Sequence, residues 1–257
     1  MKGRILVATT ALALAWVAGT SLAASAADII FMCAPALQPA VQKLVPEFEN
    51  RSGHKVKVIY GSIGVNAARV RNGEEADLAI VSPQQGEGLQ NDGKLSSAER
   101  TVIGKVGVGI FVKKGASRPD ASSVDALKLT LLRAPSIAVG DLRTPVGAYM
   151  LPLFEKLGIN NEISSKLKLM PPGNPSPTIE SVIKGEAEIG FSQMSEIAAS
   201  QDADAVGPLP ASIQNFTTFT AAIPIQAKQV AAALELIRFL RTPIALAAFK
   251  SAGIEAD

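Results

Sequence analysis

Cysteine, histidine and aromatic residues are scarce in this sequence, and each shortage excludes a kind of protein. The 257 residues include one cysteine, one histidine, one tryptophan and two tyrosines. Cys33 alone cannot form an internal disulfide, and His54 has no second histidine with which to share a metal. Sugar sites usually stack their ligand on aromatic rings, so a carbohydrate ligand is disfavoured. We expect Cys33 to be a buried thiol and His54 to belong to a turn.

A large excess of charge of one sign is also missing. The chain carries 25 Lys and Arg against 23 Asp and Glu, and 23 of each remain once Lys2 and Arg4 are removed with a leader. A nucleic-acid-binding surface requires a clustered basic excess, and only scattered pairs such as Lys113 with Lys114 occur. We therefore expect no nucleic-acid partner.

Long apolar runs are confined to the start of the chain. Lys2 and Arg4 precede an apolar stretch over residues 5–22, and the small residues Ala24, Ser25 and Ala26 follow it. This order is typical of a cleaved secretory signal peptide. No later stretch approaches the ~20 apolar residues of a spanning helix. We predict that residues 1–26 are a signal peptide and that the mature protein is soluble in the periplasm, without a membrane anchor.

Sequence motifs for catalysis are missing as well. The chain has no Ser/His/Asp order, no paired metal motif and no phosphate-binding loop in a supporting context. We therefore expect no metal, no cofactor and no catalytic residues, and an enzyme is disfavoured.

Short apolar strands alternate with amphipathic helices along the rest of the chain. The first part predicts strands over 29–33, 55–60 and 77–81 and helices over 37–48 and 65–71. A second part predicts strands over 137–139, 167–169 and 189–191 and helices over 146–157 and 178–184. The end predicts a strand over 216–223 and helices over 227–240 and 245–252. This order favours α/β units with mostly parallel sheets flanked by helices.

Two extended segments near 104–112 and 214–222 interrupt this alternation and predict crossovers between two lobes. We assign 27–107 plus 217–257 to lobe 1, on which the C-terminal end should pack, and 108–216 to lobe 2. Ligands of α/β sheets lie beyond the carboxyl ends of the strands, and two lobes can close around them by a hinge motion. We therefore expect the ligand in the cleft between the lobes.

The segment Tyr60-Gly61-Ser62-Ile63-Gly64 leads from a predicted strand into a helix. The first amides of a helix lack intrahelical acceptors, so they and the Ser62 hydroxyl could hold an anion. A plain helix cap by Ser62 is an equally good interpretation of this segment alone.

A second helix start follows the strand at 137–139. Thr144 suits the position before the helix and Pro145 suits its first turn. Arg143 could supply a forked donor for a carboxylate or another oxyanion, although a solvated Arg143 beside a capped helix explains the residue equally well. Two such starts, one on each lobe, could neutralise an anion together.

These segments together resemble the type 2 periplasmic binding proteins, and most closely the molybdate-binding branch of the transporter families. The resemblance spans nearly the whole mature chain. It depends on the segments 30–31, 52–56, 61–64, 73–78, 138–141, 185–191 and 239–253, taken in this order. The family implies two lobes, a monomer, capture by closure, and delivery to the permease of an ABC transporter.

The resemblance also implies which positions contact the ligand. In the molybdate-binding proteins, serine hydroxyls of the first two loops, backbone amides of the second lobe and a tyrosine hydroxyl hold the oxyanion. The corresponding positions here are Pro35 or Ala36 in the first loop, Ile63 beside Ser62 in the second, Val146 and Pro175 for the amides, and Gln193 for the tyrosine. Several of these donors are changed, and proline has no amide hydrogen. Each missing partner of a buried oxyanion costs ~1–3 kcal/mol.

The leading hypothesis is a periplasmic solute-binding protein that captures a small, molybdate-like oxyanion. The first alternative is a small organic acid contacted by Arg143, Ser62, Thr144 and Gln193. The second alternative is a periplasmic sensor or interaction module that uses the same cleft.

Overall fold

The computed structural model describes residues 26–98 and 100–256, so the predicted signal peptide, apart from Ala26, lies outside the described residues. Within the described part, no helix is both long enough and apolar enough to cross a membrane. The first predicted strands and helices are present there in the expected order.

The strands of the described residues join into one continuous nine-stranded sheet. They are β1 (Asp28–Cys33), β2 (Lys55–Tyr60), β3 (Leu78–Val81), β4 (Thr101–Lys113), β5 (Ile137–Gly140), β6 (Leu167–Met170), β7 (Ile189–Gln193), β8 (Ala203–Pro208) and β9 (Phe216–Ala222).

Helices connect these strands and cover both parts of the sheet. They are α1 (Gln38–Ser52), α2 (Ile63–Arg71), α3 (Pro83–Asn91), α4 (Val124–Arg133), α5 (Pro145–Lys156), α6 (Asn160–Ile163), α7 (Pro177–Ile183), α8 (Met194–Ala199), α9 (Val230–Phe239) and α10 (Pro243–Ser251). A short 3-10 turn, Pro35–Leu37, precedes α1.

The strand order is β2-β1-β3-β9-β4-β7-β5-β6, with β8 also paired to β4. As predicted, β1 is parallel to β2 and β3, and β5 is parallel to β6 and β7. The central pairs of β4 and β9 are antiparallel, so the sheet is more mixed than the expected mostly parallel arrangement. The reason is that β4 and β9 run between the lobes in opposite directions.

The long strand β4 belongs to both lobes. Its first half, through Gly107, pairs with β9, and its second half, from Val108, pairs with β7 and β8. At this changeover the Gln214 side chain adds two hydrogen bonds to those that the backbone of Val108 makes with Asn215 and Leu209. Its Oε1 accepts the Val108 N–H at 3.0 Å and its Nε2 donates to the Val108 carbonyl at 3.1 Å.

Each lobe has its own hydrophobic core. One core joins α1 and the early strands to α9 and α10, so the C-terminal helices pack against the first part of the chain. A second core lies around β5, α5 and the second half of β4. The exact lobe boundaries, at 107/108 and 216/217, stay predictions.

Cys33 and His54 are both buried. Cys33 lies in the first core, as predicted, and burial raises the pKa of its thiol. His54 follows the Gly53 turn, but it is 3% exposed and both ring nitrogens have partners. Nδ1 accepts the backbone N–H of Ala27 at 3.1 Å, and Nε2 lies 3.3 Å from a carboxylate oxygen of Glu235. His54 therefore connects β1 to α9.

Candidate functional site

A small cavity lies where the two lobes meet, beyond the ends of β1, β2, β5 and β7. Its volume is about 70 Å³, which leaves room for roughly five water molecules at ~10–15 Å³ each. The lining residues are Ala34, Pro35, Ala36, Ser62, Ile63, Gly140, Thr144, Pro145, Val146, Pro171, Pro172, Gly173, Ser176, Pro177, Thr178, Phe191, Ser192, Gln193, Glu196 and Phe219.

The first helix start at the cavity is that of α2. Ser62 caps this helix, because its Oγ accepts the Val65 N–H at 3.3 Å, which agrees with one of the two interpretations of this segment. The amides of Ile63 and Gly64 precede Val65 and have no acceptor within the helix. Both these amides and the hydroxyl hydrogen of Ser62 are therefore available to a negatively charged group.

The second helix start is that of α5, on the opposite lobe. Thr144 caps this helix by accepting the Gly147 N–H at 3.0 Å, and Pro145 occupies its first turn. The Thr144 hydroxyl donates its hydrogen to the Asp141 carbonyl at 2.8 Å. Thr144 thus has no hydrogen left for a ligand, and the Val146 amide is the first free donor of α5.

Glycines let the backbone come close at this second start. A Cβ atom on Gly147 would lie 2.0 Å from the Gly140 carbonyl oxygen, so only glycine fits there. A Cβ atom on Gly64 would lie 3.4 Å from the backbone oxygen of Arg143. The two helix starts therefore face each other across a narrow gap between the lobes.

The Arg143 side chain points away from this gap. Its guanidinium pairs with Asp141, with 2.9 Å between Nε and Oδ2, and the side chain is 68% exposed. The hydrogen bond from Arg143 holds the pKa of the Asp141 carboxyl below its usual value. In this conformation Arg143 is part of an exposed ion pair.

The structure brings six of the eight predicted ligand-contact residues together around the cavity: Ala36, Ser62, Ile63, Thr144, Val146 and Gln193. The other two, Arg143 and Pro175, are not among its lining residues. Pro175 lines a neighbouring groove instead, and its peptide bond to Asn174 is cis. Ligand contact by any of the eight stays a prediction.

Glu196 is a cavity residue that the sequence did not indicate. It lies in the first turn of α8, three residues after Gln193, and its Oε2 accepts a 2.6 Å hydrogen bond from Ser192 Oγ. Burial raises the pKa of the Glu196 carboxyl, and the hydrogen bonds from Ser192 and from the backbone of Gln193 oppose this effect. A signal was available, because Glu196 directly follows the carboxyl end of β7, where α/β proteins place ligands.

Gln193 has one amide atom engaged and one free. Its Nε2 donates to the Thr217 hydroxyl at 2.8 Å, whereas its buried Oε1 has no partner in the described part of the chain. A buried acceptor of this kind is normally satisfied by a ligand or a water hydrogen. Gln193 occupies the position at which the resemblance to molybdate-binding proteins implies a tyrosine, so an amide is present there instead of a hydroxyl.

A groove of about 580 Å³ adjoins the cavity on its outer side. Pro35, Ser176 and Glu196 line both spaces, so they form the border between them. Lys43 of α1 and Glu180 of α7 also line the groove. A ligand too large for the cavity would extend past Glu196 into this groove.

Two α/β lobes with a ligand-sized cavity between opposed helix starts define a binding protein of the type 2 periplasmic fold. Residues 29–255 match the family model described as bacterial extracellular solute-binding protein, and the chain belongs to this family.

Individual relatives differ in what their names say they do. An aconitate isomerase from a Pseudomonas species is 27% identical over 220 residues, 84% of this chain and 82% of the relative. The molybdate-binding protein ModA of Escherichia coli K12 is 26% identical over 240 residues, 92% of each chain. The solved periplasmic molybdate-binding protein of Azotobacter vinelandii has a TM-score of 0.74 at 19% identity, over 89% of this chain and 99% of that one. The predicted resemblance to the molybdate-binding branch is confirmed.

Proposed function

We propose that this protein binds a small anion in the cavity between its lobes, in the periplasm, and delivers it to the permease of an ABC transporter. The observation that carries the proposal is the meeting of two helix N-termini, at Ser62 and at Val146, on one cavity. Helix N-termini attract negative charge through their free amides and their dipoles.

The size of the cavity favours a compact ligand. About 70 Å³ suits a tetrahedral oxyanion or a small carboxylic acid rather than a peptide or a sugar. The apolar rings of Phe191 and Phe219 in the lining favour the carboxylic acid, whereas the similarity to molybdate-binding proteins favours the oxyanion. Both ligand classes therefore belong in the first experiment.

A thermal-shift screen of the mature protein tests the proposal. Molybdate, tungstate, sulfate, phosphate and a series of small carboxylates are added separately. A ligand at 100 times its Kd stabilises the folded state by ~2.7 kcal/mol, which raises the melting temperature of a protein of this size by roughly 5–11 °C. If none of these anions changes the melting temperature or gives heat in calorimetry, the proposal is wrong.

Glu196 favours a second candidate function, the isomerisation of an unsaturated organic acid. It is the one carboxyl group that lines the cavity among the described residues, and a relative is named aconitate isomerase. A carboxylate there could remove a proton from the carbon beside a double bond and return it to the far end of that bond. The double bond shifts, and no oxidant or reductant is needed. An acid of this size would occupy both the cavity and the adjoining groove.

Proton NMR of cis- and trans-aconitate incubated with the protein in heavy water tests this candidate. Isomerisation or deuterium incorporation that is absent in Glu196→Gln supports the isomerase. Binding without exchange in the wild-type protein leaves transport as the function. The expectation that the protein is not an enzyme is thus tested directly.

A further inference from the structure

Among the described residues, none with a positive side chain lines the cavity proposed for an anion. Among its described lining residues, Glu196 is the only one that ionises. An ionised Glu196 would repel an anion in the same small space, because the two like charges would share a poorly hydrated environment. Free amides at two helix starts offset part of this repulsion but leave the carboxylate in place.

Neighbouring charges do not remove this conflict. Helix α8 packs on β4, β7, β8, α1 and the turn at Pro35–Leu37. On these elements and on α7, the titratable groups that line the outer groove together with Glu196 are Lys43 and Glu180. Glu180 forms an ion pair with Lys184, at 3.0 Å. The charged residues Lys105, Lys113 and Asp204 of β4 and β8 line neither the cavity nor the groove.

Hydrogen-bond acceptors, in contrast, are available at the cavity. The Glu196 carboxyl accepts hydrogen bonds from Ser192 Oγ, at its Oε2, and from the backbone of Gln193. The buried Oε1 of Gln193, another cavity residue, has no hydrogen-bond partner in the described part of the chain. The oxygens of an unprotonated anion are also acceptors. If such an anion approached Glu196 and Gln193, no hydrogen would lie between the two sets of oxygens, and no hydrogen bond could form.

We propose that the anion binds together with one proton, which is held in a hydrogen bond between Glu196 and an oxygen of the ligand. The proposal rests on the proposed anion-binding function. It removes the charge conflict, because a protonated Glu196 becomes a donor in a charge-assisted hydrogen bond. Burial also favours the neutral form of this carboxyl. Carboxylates, as the more basic acceptors, should be preferred over sulfate.

The test is the pH dependence of the Kd, measured by calorimetry with molybdate and with lactate as probes. Neither probe has a titrating proton of its own between about pH 6.5 and about pH 8.5, as carboxylic acids titrate near pH 4. We expect binding to weaken as the pH rises. The Kd should increase by up to about tenfold per pH unit above the pH at which the free protein loses the proton. Calorimetry in two buffers of different ionisation heat should show uptake of up to one proton.

Two variants make the result specific to Glu196. Glu196→Gln keeps a hydrogen donor that does not titrate, so it should bind with a Kd that is independent of pH. Glu180→Gln, on the groove, should retain the pH dependence of the wild-type protein. A wild-type Kd that does not change with pH, or a folded Glu196→Gln that binds neither probe while the wild-type protein does, overturns the proposal. If no anion binds at any pH, the proposed function itself is wrong.

Discussion

The side-chain hydroxyl of Ser195 donates a 2.7 Å hydrogen bond to the backbone carbonyl of Ala36. Ser195 belongs to α8 of the second lobe, and Ala36 belongs to the turn before α1 of the first. Both residues are buried. The bond therefore joins the two lobes directly beside the cavity and can form only when they are close together.

Ser195→Ala should weaken the closed arrangement of the lobes. Loss of one such hydrogen bond costs ~0.5–1.5 kcal/mol, so a bound anion should dissociate roughly two- to tenfold faster. Stopped-flow measurement of ligand release checks this. Ser164→Ala, which removes a local hydrogen bond to Asn161, is the control and should leave the rate unchanged. Equal release rates in all three proteins would mean that the Ser195 bond does not hold the lobes together.

Ser62→Ala and Ser82→Ala form a matched pair, because each serine caps a helix of nine residues. Both changes should lower the free energy of unfolding by ~1 kcal/mol. Ser62 also lines the cavity and Ser82 does not. Only Ser62→Ala should therefore weaken anion binding, by about tenfold for one lost donor. Denaturant unfolding and calorimetry measure the two effects, and similar affinities in the two variants would exclude Ser62 as a ligand contact.

Arg143→Gln should change the affinity for molybdate or a carboxylate by less than about twofold, because the exposed guanidinium of Arg143 pairs with Asp141 and does not line the cavity. It should raise the pKa of Asp141 toward its ordinary value, since the hydrogen bond from Arg143 lowers that pKa. In the wild-type protein the Arg143–Asp141 ion pair is present above the ordinary pKa of Asp141, and it is lost as the pH falls through the lowered pKa of the folded state. NMR titration of the Asp141 carboxyl measures this pKa in both proteins. A large loss of carboxylate affinity would instead show that Arg143 turns inward when ligand binds.

Glu196→Gln should stabilise the ligand-free protein at neutral and alkaline pH. The pKa of Glu196 is raised in the folded state, so the folded protein holds this proton more tightly than the unfolded chain. The contribution of Glu196 to the free energy of unfolding is therefore fully present below the ordinary pKa of glutamic acid. It is lost as the pH rises through the raised pKa that Glu196 has in the folded protein. The gain in melting temperature should vanish near about pH 4 and grow at higher pH. The exposed Glu188→Gln is the control, and an equal response of both variants would argue against a raised pKa.

Cleavage of the signal peptide should leave Ala27 as the first residue. The Ala27 nitrogen lies 3.1 Å from His54 Nδ1, and its carbonyl accepts the Lys55 N–H at 2.8 Å, so the residue is fixed at the start of β1. Intact-mass spectrometry of protein from the periplasmic fraction gives the result. A mature chain that begins after Asp28 would lack these bonds and would contradict the prediction.

Hydrophobic periodicity predicted most of the fold, but some elements lacked a clear pattern. The strand at Lys55–Tyr60 has the predicted bounds, and the caps by Ser62 and Thr144 are confirmed. Helix α3 was missed because Pro83–Asn91 contains two glycines and few apolar residues. Strand β8, which has two alanines, a glycine and a proline among its six residues, was missed for a similar reason. Short elements of this kind are stabilised by tertiary contacts rather than by their own sequence pattern.

The site was only partly predictable for a related reason. Helix caps are local, so the Ser62 and Thr144 positions could be recognised within a few residues. Glu196 becomes part of the site because α8 packs against the turn at Pro35–Leu37, about 160 positions earlier in the chain. The orientation of Arg143 likewise depends on Asp141 two residues away, an arrangement that residue type alone does not specify.

Strand β4 has a consequence for the way the protein unfolds. This one uninterrupted strand forms hydrogen bonds with β9 through Gly107 and with β7 and β8 from Val108 onward. The sheet of each lobe therefore includes part of a strand that continues into the other lobe. Melting either lobe would leave unpaired edge groups and apolar surface on the other. The protein should therefore unfold in a single calorimetric transition, with equal calorimetric and van't Hoff enthalpies, and neither lobe should be stable when expressed by itself.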